Sequence, residues 1–365
     1  MSKSWIGPLA SFLVVALNPL MSQGQHTIQS SWEFQNKVEH TMLASDDGWV
    51  LCTVDIKNLY PSINHMHFLK VFAARVRQHW HHRSAYANLI IRLCELLLHA
   101  QFVMFEETIW QVTTGFATGL QTGVVFANIY LASLDDDMQN ACVETASPLA
   151  LCWFRYIDDG FCIVRKDCSQ RVLAFLNSWH SSIRWELSAE GLQVPFLDLH
   201  IKLQDGRLSF ETYRKPQNSY SYLPRSSCHA PSVFRAIVTG ECVRLFRNNK
   251  DNPESFVKHV EFFVDKLGRR GYNKEEARSL IAKTVRRLQG LSPARESCQN
   301  KRVFFKQPYS FSLNSRTIKV ALKRDWHVVQ KIFQCKFDFM LCYRVQPNDF
   351  RRNYANTWLI STRAG

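Results

Sequence analysis

The sequence predicts an α+β fold: an antiparallel sheet backed by helices, followed by a helical C-terminal region. Three observations predict it. Short apolar runs rich in aromatic and β-branched residues recur between residues 49 and 210, interleaved with stretches of helical periodicity. The stretch FRYIDDGFCIV, Phe154 to Val164, reads as two strands joined by a turn, and beyond residue 250 apolar side chains recur at helical spacing. With 365 residues, 46% of them hydrophobic and 25 of them Phe, the chain is long enough for two or three subdomains with a real core. That composition excludes a disordered protein.

Residues 1–48 read as helical and connecting material. The run IGPLASFLVVALNPLM is apolar but short and interrupted by Pro8 and Pro19, which makes it a core helix and not a membrane span of about 20 residues. A signal peptide would be expected to show a clearer basic start and small-residue cleavage site. SSWEFQNKVEH follows as a helix in which Ser30 or Ser31 precedes Glu33, as in a capping box. The run Trp49 to Val54 is a buried strand with Asp55 at its end. Two helical segments follow, around 65–80 and 86–100, and then a short hairpin, QFVMF-EET-IWQVT.

GFATGLQTGVVFANIYLASLDDDM opens with three glycines and continues as a long apolar helix. Next come LALCWFRY and GFCIV, strands either side of Asp-Asp-Gly, a tight-turn sequence. A helix near 168–180 is followed by RWEL and PFLDLHIKL as strands. Asn252 and Pro253 start a helix carrying Phe256, Val260, Phe263 and Leu267 on one face. Gly268 and Gly271 bracket Arg269 and Arg270. A further helix starts at Asn273, with Glu276 three positions on, and stops at Gly290; Ala277, Ile281, Val285 and Leu288 form one face, and Lys283, Arg286 and Arg287 lie on the other. There is no internal repeat or low-complexity tract.

Charge is unevenly distributed. Residues 1–200 hold 13 basic and 18 acidic residues, a net of −5, whereas residues 201–365 hold 32 and 13, a net of +19. The overall +14 therefore comes from the second half, the expected electrostatic footprint for a polyanion such as nucleic acid. No long apolar span accompanies it to favour a membrane. The 11 Cys contain no C-x-x-C pair, which fits reduced intracellular thiols and gives no zinc site. The cluster His79 to His82 reads as the polar end of a helix.

Asp158 and Asp159 interrupt an otherwise apolar hairpin. Asp and Gly are common turn residues, and that is the plain reading of an isolated pair. A second carboxylate, Asp55, ends a buried strand in the same manner. Two strand-end carboxylates, Asp55 and Asp158, suit divalent cations, because magnesium favours one or two protein carboxylates with water and substrate phosphate completing its octahedron. Paired ions roughly 3.5 to 4 Å apart are the arrangement of polymerases and nucleases. From the residues alone the chemistry is phosphoryl or nucleotidyl transfer.

DIKNLYPSI, GFATGLQTGVVFANIYL and RYIDD, in that order, resemble motifs A, B and C of reverse transcriptases. FLDLHI, YRKPQNSYSYLPRSSCHAP and LGRRGY look like the Penelope-like retroelement branch, which is related to telomerase reverse transcriptase. The resemblance runs from about residue 18 to the end. It implies a right-hand polymerase palm at 49–225 with motifs A to E, preceded by a partial fingers and palm connection at 1–48, followed by a helical thumb at 226–300 and a basic extension at 301–365. It implies that Asp55, Asp158 and Asp159 hold two Mg²⁺ ions, with Mn²⁺ as a substitute. By the same resemblance Tyr60 packs under the sugar and excludes a 2′-hydroxyl, while Gly115 and Gly119 admit the nucleotide and template base. Ala127 and Asn128 match the helix that follows. Tyr213, Arg214 and Lys215 fall where a primer-grip strand holds the 3′ end, and Arg269, Arg270, Lys283, Arg286 and Arg287 track the nucleic-acid backbone.

The implied function is RNA-directed DNA synthesis from an RNA template, a DNA primer and deoxynucleoside triphosphates, in which a primer 3′-oxygen attacks the α-phosphate and pyrophosphate departs. Lys202 and Arg184 are the nearest candidates for the acid that protonates pyrophosphate. The family's life cycle implies an intracellular, nuclear setting, although the sequence has no compelling basic import cluster. Two departures from the pattern are expected to matter: the family's basic fingers residues that grip the triphosphate are expected upstream of the stretch MSKSWIGPLAS, and Thr118 stands where many relatives have Met or Gln; full-length relatives often continue into a GIY-YIG nuclease, of which no segment is read here. A catalytically silent nucleic-acid-binding remnant of such a polymerase is the rival expectation. A nuclease of another fold would use the same acids but leave Tyr60 and the glycines without a role.

Overall fold

The computed structural model describes residues 6–21, 26–43, 48–117, 119–143, 148–291, 301–308, 320, 324, 326–327 and 337–344. The chain divides into two compact units, Met1–Lys215 with Asn248–Asn252, and Pro216–Arg247 with Pro253–Gly365.

The first unit begins with α1 (Gly7–Met21) and α2 (Ser31–Val38). Pro8 sits in the first turn of α1, where a missing N–H costs nothing, whereas Pro19 forfeits one backbone hydrogen bond in the last turn and the helix ends two residues later at Met21. Ala10, Leu13 and Leu17 bury its inner face. In α2, Ser30 Oγ accepts from Glu33 N at 3.2 Å, and the Glu33 carboxylate accepts from Gln29 N at 2.9 Å, a capping box displaced by one residue.

Strand β1 (Trp49–Ile56) leads through α3 (Leu59–Ser62) into α4 (His65–His79) and α5 (Ser84–His99). The hairpin β2 (Phe102–Phe105) and β3 (Thr108–Gln111) is exposed along its length. Helix α6 (Gly123–Val143) is followed by β4 (Cys152–Tyr156), β5 (Asp159–Arg165), α7 (Ser169–Ser178) and β6 (Trp185–Gly191). These strands form one antiparallel sheet in the order β4-β5-β1-β6. A second antiparallel sheet is made by β7 (Gln193–Phe196), β8 (Leu199–Gln204) and β9 (Arg207–Thr212).

The central strands are buried on both faces, which is why their sequences read as continuous apolar runs. Successive side chains point to opposite faces. In β1 and β5, Cys52, Val54, Cys162 and Val164 join a core with α1 and α4 to α7, while Leu51, Phe161 and Ile163 join a second core with Phe34 of α2 and the β7-β8-β9 sheet. The helices therefore back one face of the β4-β5-β1-β6 sheet, and a second sheet with one helix covers the other.

Three local expectations need correction. The turn of the aspartate hairpin is Ile157–Asp158, not Asp-Asp-Gly; Asp159 and Gly160 already belong to β5, paired with Tyr156 and Arg155. PFLDLHIKL is not one strand but two, β7 and β8, turning at Leu197 and Asp198 with Leu197 at φ 56°. The segment Tyr213 to Lys215 lies just beyond the end of β9 and is not itself a strand.

The second unit is built on α8 (Pro231–Asn248), α9 (Pro253–Gly268) and α10 (Lys274–Leu288). Val238, Cys242, Leu245, Val260, Phe263, Val264, Leu267, Ala277 and Ile281 form its core. Helix α10 is capped by Asn273, whose side chain accepts from Glu276 N at 2.9 Å. Strands β10 (Lys301–Pro308) and β11 (Phe337–Arg344) pair in parallel; most of the expected basic extension lies outside the described residues. No helix among the described residues is long and apolar enough to cross a membrane.

Candidate active site

The β1–β5 ladder places Asp55 directly opposite Asp159, and Ile56 N donates to Asp158 O at 3.1 Å. On the other side of β1, Asp55 is in register with Glu186 of β6. Three acidic residues thus lie in a row across β5, β1 and β6, with Asp158 at the adjoining turn. Burial first, and then the charge of Asp158, raise the pKa of Asp55; Glu186 adds to the rise, while Ile56 N–H and Lys215 oppose it. Asp159 is pushed up to about 6, again by burial first and then by Asp158 and Asp55. Like charges gathered in a partly desolvated place raise one another's pKa. Such a cluster attracts cations or protons.

The turn that carries Asp158 is unusual. Ile157 has φ 56°, a left-handed conformation that a β-branched residue rarely adopts. Beneath it Arg155 is wholly buried, and its Nη1 donates to Ile157 O at 2.8 Å. Gly160 is required by packing: a Cβ there would lie 2.5 Å from the Trp153 ring and 2.7 Å from Val54.

Tyr60 is half-buried in α3, just after Asn58 takes a left-handed turn at φ 52°. Burial, followed by the charge of Asp158, raises its phenol pKa. Its ring lies against Gly123 at the start of α6. Gly115 (φ 73°) approaches the chain itself: a Cβ would fall 2.6 Å from Pro61 Cα and 2.7 Å from Tyr60 O. Its N–H donates to Ile63 O at 2.8 Å, and Phe116 N to Tyr60 O at 2.8 Å, so the segment bearing the first glycine is stitched to the segment bearing Tyr60. Gly119 (φ 88°) faces open space. Thr118 lies outside the described residues. Ala127 and Asn128 are buried in α6, and Asn128 Oδ1 accepts from Arg155 Nη1 at 2.9 Å.

Tyr213 N donates to Asp198 O at 2.8 Å, and Asn249 clamps the preceding Thr212 through N at 3.0 Å and Oγ1 at 2.7 Å. Arg214 is half-buried. Lys215 is exposed, and its charge partly opposes the rise in pKa of both Asp55 and Asp159, which makes it a cation near the carboxylate cluster as well as a neighbour of Tyr213. Arg184 is also near in the ladder, since its carbonyl accepts from Lys57 N at 2.9 Å. Lys202 is instead engaged in the second sheet, 2.6 Å from Glu211.

In the second unit Arg269 pairs with Asp265 at 2.9 Å. Arg270 Nε donates to Tyr222 O at 2.8 Å, and Arg270 O accepts from Arg225 N at 2.9 Å, ties that hold the preceding loop to α9. Lys283, Arg286 and Arg287 are exposed on α10. His81 and His82 are exposed beyond α4. Among the described residues no three His, Cys, Asp or Glu side chains stand close enough to cage a metal unaided.

Arg155, which pairs with Asp135 at 2.7 Å, and Glu186, which pairs with Lys57 at 3.1 Å, are absent from the candidates that the sequence motifs supply. For Arg155 a signal is present, an arginine inside a strand otherwise made of Cys, Trp, Phe and Tyr, whereas Glu186 is found only through its register beside Asp55.

No family model matches the sequence, and no curated protein matches it. Among solved structures, telomerase from Candida albicans in complex with a TWJ fragment of telomeric RNA is 10% identical, with a TM-score of 0.45 over 80% of this chain and 56% of that one. Telomerase from Candida tropicalis in the corresponding complex is 12% identical, with a TM-score of 0.43 over 82% and 56%. Apo telomerase from Candida tropicalis is 13% identical, with a TM-score of 0.44 over 78% and 51%. The chain spans about half the length of the telomerase chains it matches.

Proposed function

We propose that the chain is an RNA-directed DNA polymerase core of the Penelope-like type, extending a DNA primer on an RNA template with deoxynucleoside triphosphates. The observation that carries this reading is the gathering of Asp55, Asp158 and Asp159 at one end of the β1–β5 ladder, beside Tyr60. Acids brought together from the two motifs on adjacent strands support an active site more strongly than either motif alone.

Asp55 and Asp158, with Asp159 beside them, are the residues that would hold magnesium. The donor set fits, because magnesium takes one or two protein carboxylates and draws its other ligands from water and phosphate oxygens. The repulsion that raises Asp55 and Asp159 is also what a divalent cation would relieve. When bound there, a pair of such cations supplies positive charge to the attacking primer oxygen and the departing pyrophosphate.

The chain's own residues do the rest. The Tyr60 ring blocks space beside the nucleotide sugar, so that a 2′-hydroxyl has nowhere to go. Gly115 lets the segment that starts motif B pack tightly on the main chain of Tyr60 and Pro61, while the ring itself lies against Gly123. Lys215 brings a positive charge to the acidic cluster, and Tyr213 and Arg214 precede it where a primer terminus would be gripped. Arg269, Lys283, Arg286 and Arg287 offer sequence-blind contacts to the phosphates of a template–primer duplex.

The test is primer extension on an RNA template with deoxynucleotides and Mg²⁺, comparing the chain with Asp158→Ala/Asp159→Ala. Extension that disappears in the variant upholds the reading. No extension by either, with salt-sensitive duplex binding retained, establishes the alternative of a nucleic-acid-binding remnant.

A further inference from the structure

Arg155 is 0% exposed, yet it spends all five of its N–H donors. Nε donates to Asp135 Oδ1 at 2.9 Å and to Oδ2 at 3.1 Å, and Nη2 to Oδ2 at 2.7 Å and to Thr27 Oγ1 at 3.4 Å. Nη1 divides between Asn128 Oδ1 at 2.9 Å and Ile157 O at 2.8 Å. Asp135 is itself held, accepting from Trp153 Nε1 at 2.9 Å and from Thr27 Oγ1 at 3.2 Å. The backbone of Arg155 is fixed as well: its N–H donates to His26 O and its C=O accepts from Ile28 N, both at 2.9 Å.

A buried ion pair is a poor device for stability alone, because an apolar pair of similar volume commonly serves as well or better. What an apolar pair could not do is reach a carbonyl in the turn that carries Asp158. That turn needs holding. Ile157 is a β-branched residue at φ 56°, a conformation that persists only where the surroundings impose it. With a negative φ at Ile157, the Asp158 carboxylate would leave the end of the ladder where Asp55 stands.

We propose that Arg155 is a positioning residue for Asp158: anchored on Asp135 and Asn128 of α6, it clamps the Ile157 carbonyl and so keeps the aspartate turn in its left-handed form. The helix that begins at the motif B glycines is thereby coupled to the acids of motif C. The catalytic part of this inference rests on the polymerase reading; the geometric part does not.

The test uses the full chain carrying Arg155→Lys, which keeps a charge for Asp135 but lacks the planar fork that serves Ile157 O and Asn128 together. In primer extension, kcat is expected to fall about 10²-fold, the scale of an ångström-sized misplacement, with KM for the nucleotide changed less than about threefold. Adding Ile157→Gly, which adopts a positive φ without strain, is expected to restore at least about tenfold of that loss. A merely structural arginine predicts the reverse, since a glycine in the turn can only loosen it further; absence of rescue overturns the proposal. Should the lysine variant fail to fold, Arg155→Met with Asp135→Leu removes the ion pair as a unit and is read in the same way. If the wild-type chain shows no extension, the polymerase reading fails and crystal structures decide the rest. Residue 157 leaving the left-handed region in the variant upholds the clamp, and an unchanged turn overturns it.

Discussion

Asp55 and Asp159 are direct partners in the β1–β5 ladder, so their main chains are locked together while their charges oppose each other. Asp159 titrates near 6 instead of its ordinary 3.8 because burial and the charges of Asp158 and Asp55 disfavour its ionised form. The folded state therefore holds this proton more tightly than the unfolded state, and its contribution to stability falls as pH rises from about 4 to about 6. Asp159→Asn removes that cost. The variant is expected to match the wild type at pH 4 and to exceed it at pH 7.5 by on the order of 1 kcal/mol once solvent screening is allowed for. Thermal melts across that range test it, and a gap that widens on acidification would contradict it. Mg²⁺ at pH 7.5 is expected to narrow the gap by stabilising the wild type selectively.

Gly115 and Gly119 are alike in φ and unlike in surroundings. Both hold left-handed conformations, which cost an alanine about 1 to 2 kcal/mol. Only at Gly115 would the added methyl overlap main-chain atoms, those of Tyr60 and Pro61. Gly115→Ala is expected to lose about 3 kcal/mol or more, and Gly119→Ala about 1 kcal/mol. Urea unfolding curves of the two variants give the comparison directly, and equal midpoints would show that the close approach at Gly115 is not structurally required.

Tyr60 stands between the acidic cluster and the first turn of α6, with its ring on Gly123. On the proposed polymerase reading, truncation opens the space into which a ribose 2′-oxygen would project. Tyr60→Ala is therefore expected to lower the preference for deoxynucleotides over ribonucleotides at least about tenfold, whereas Tyr60→Phe, which keeps the ring, is expected to leave it within about twofold. Single-nucleotide incorporation with paired dNTP and rNTP substrates measures the ratio.

The parts legible in the sequence are those where local pattern and tertiary demand agree. β1 and β5 read as strands because both of their faces are buried, and Asp55 and Asp159 emerge where those apolar runs meet. The aspartate turn is misplaced for the opposite reason. Asp-Asp-Gly has ordinary turn chemistry, yet Arg155 anchors Ile157 O and Gly160 must pack under Trp153, so the turn shifts onto Ile157 and Asp158. Leu197 follows the same pattern, a bulky residue held left-handed beside Asp198, whose side chain and carbonyl receive Ser31, Asn248 and Tyr213. Helix α8 is hard to read because Gly240, Val, Ile and Thr weaken its propensity, although Phe234, Val238, Cys242 and Leu245 carry a helical spacing. What one strand owes to a buried partner far along the chain is not written in its own pattern.

The basic face of α10 allows a quantitative test of nucleic-acid binding. Lys283, Arg286 and Arg287 are exposed, and the two arginines lie in the last turn, where cations also favour the helix macrodipole by a few tenths of a kcal/mol. If they are only solvated, replacing all three with alanine lowers Tm slightly and leaves duplex affinity alone. If they meet phosphates, each neutralised contact contributes about 0.9 to the slope of log K against log salt. The triple variant is expected to reduce that slope by about 2 to 3 for an RNA–DNA duplex, equally for unrelated sequences, with the melt almost unchanged. Arg270→Ala serves as the contrast, because its Nε supports Tyr222 O and its loss is expected to lower Tm before any change in slope. Fluorescence-anisotropy titrations from 50 to 200 mM salt, about the range over which phosphate contacts dominate binding, separate the cases. An unaltered slope in the triple variant removes α10 from the nucleic-acid interface.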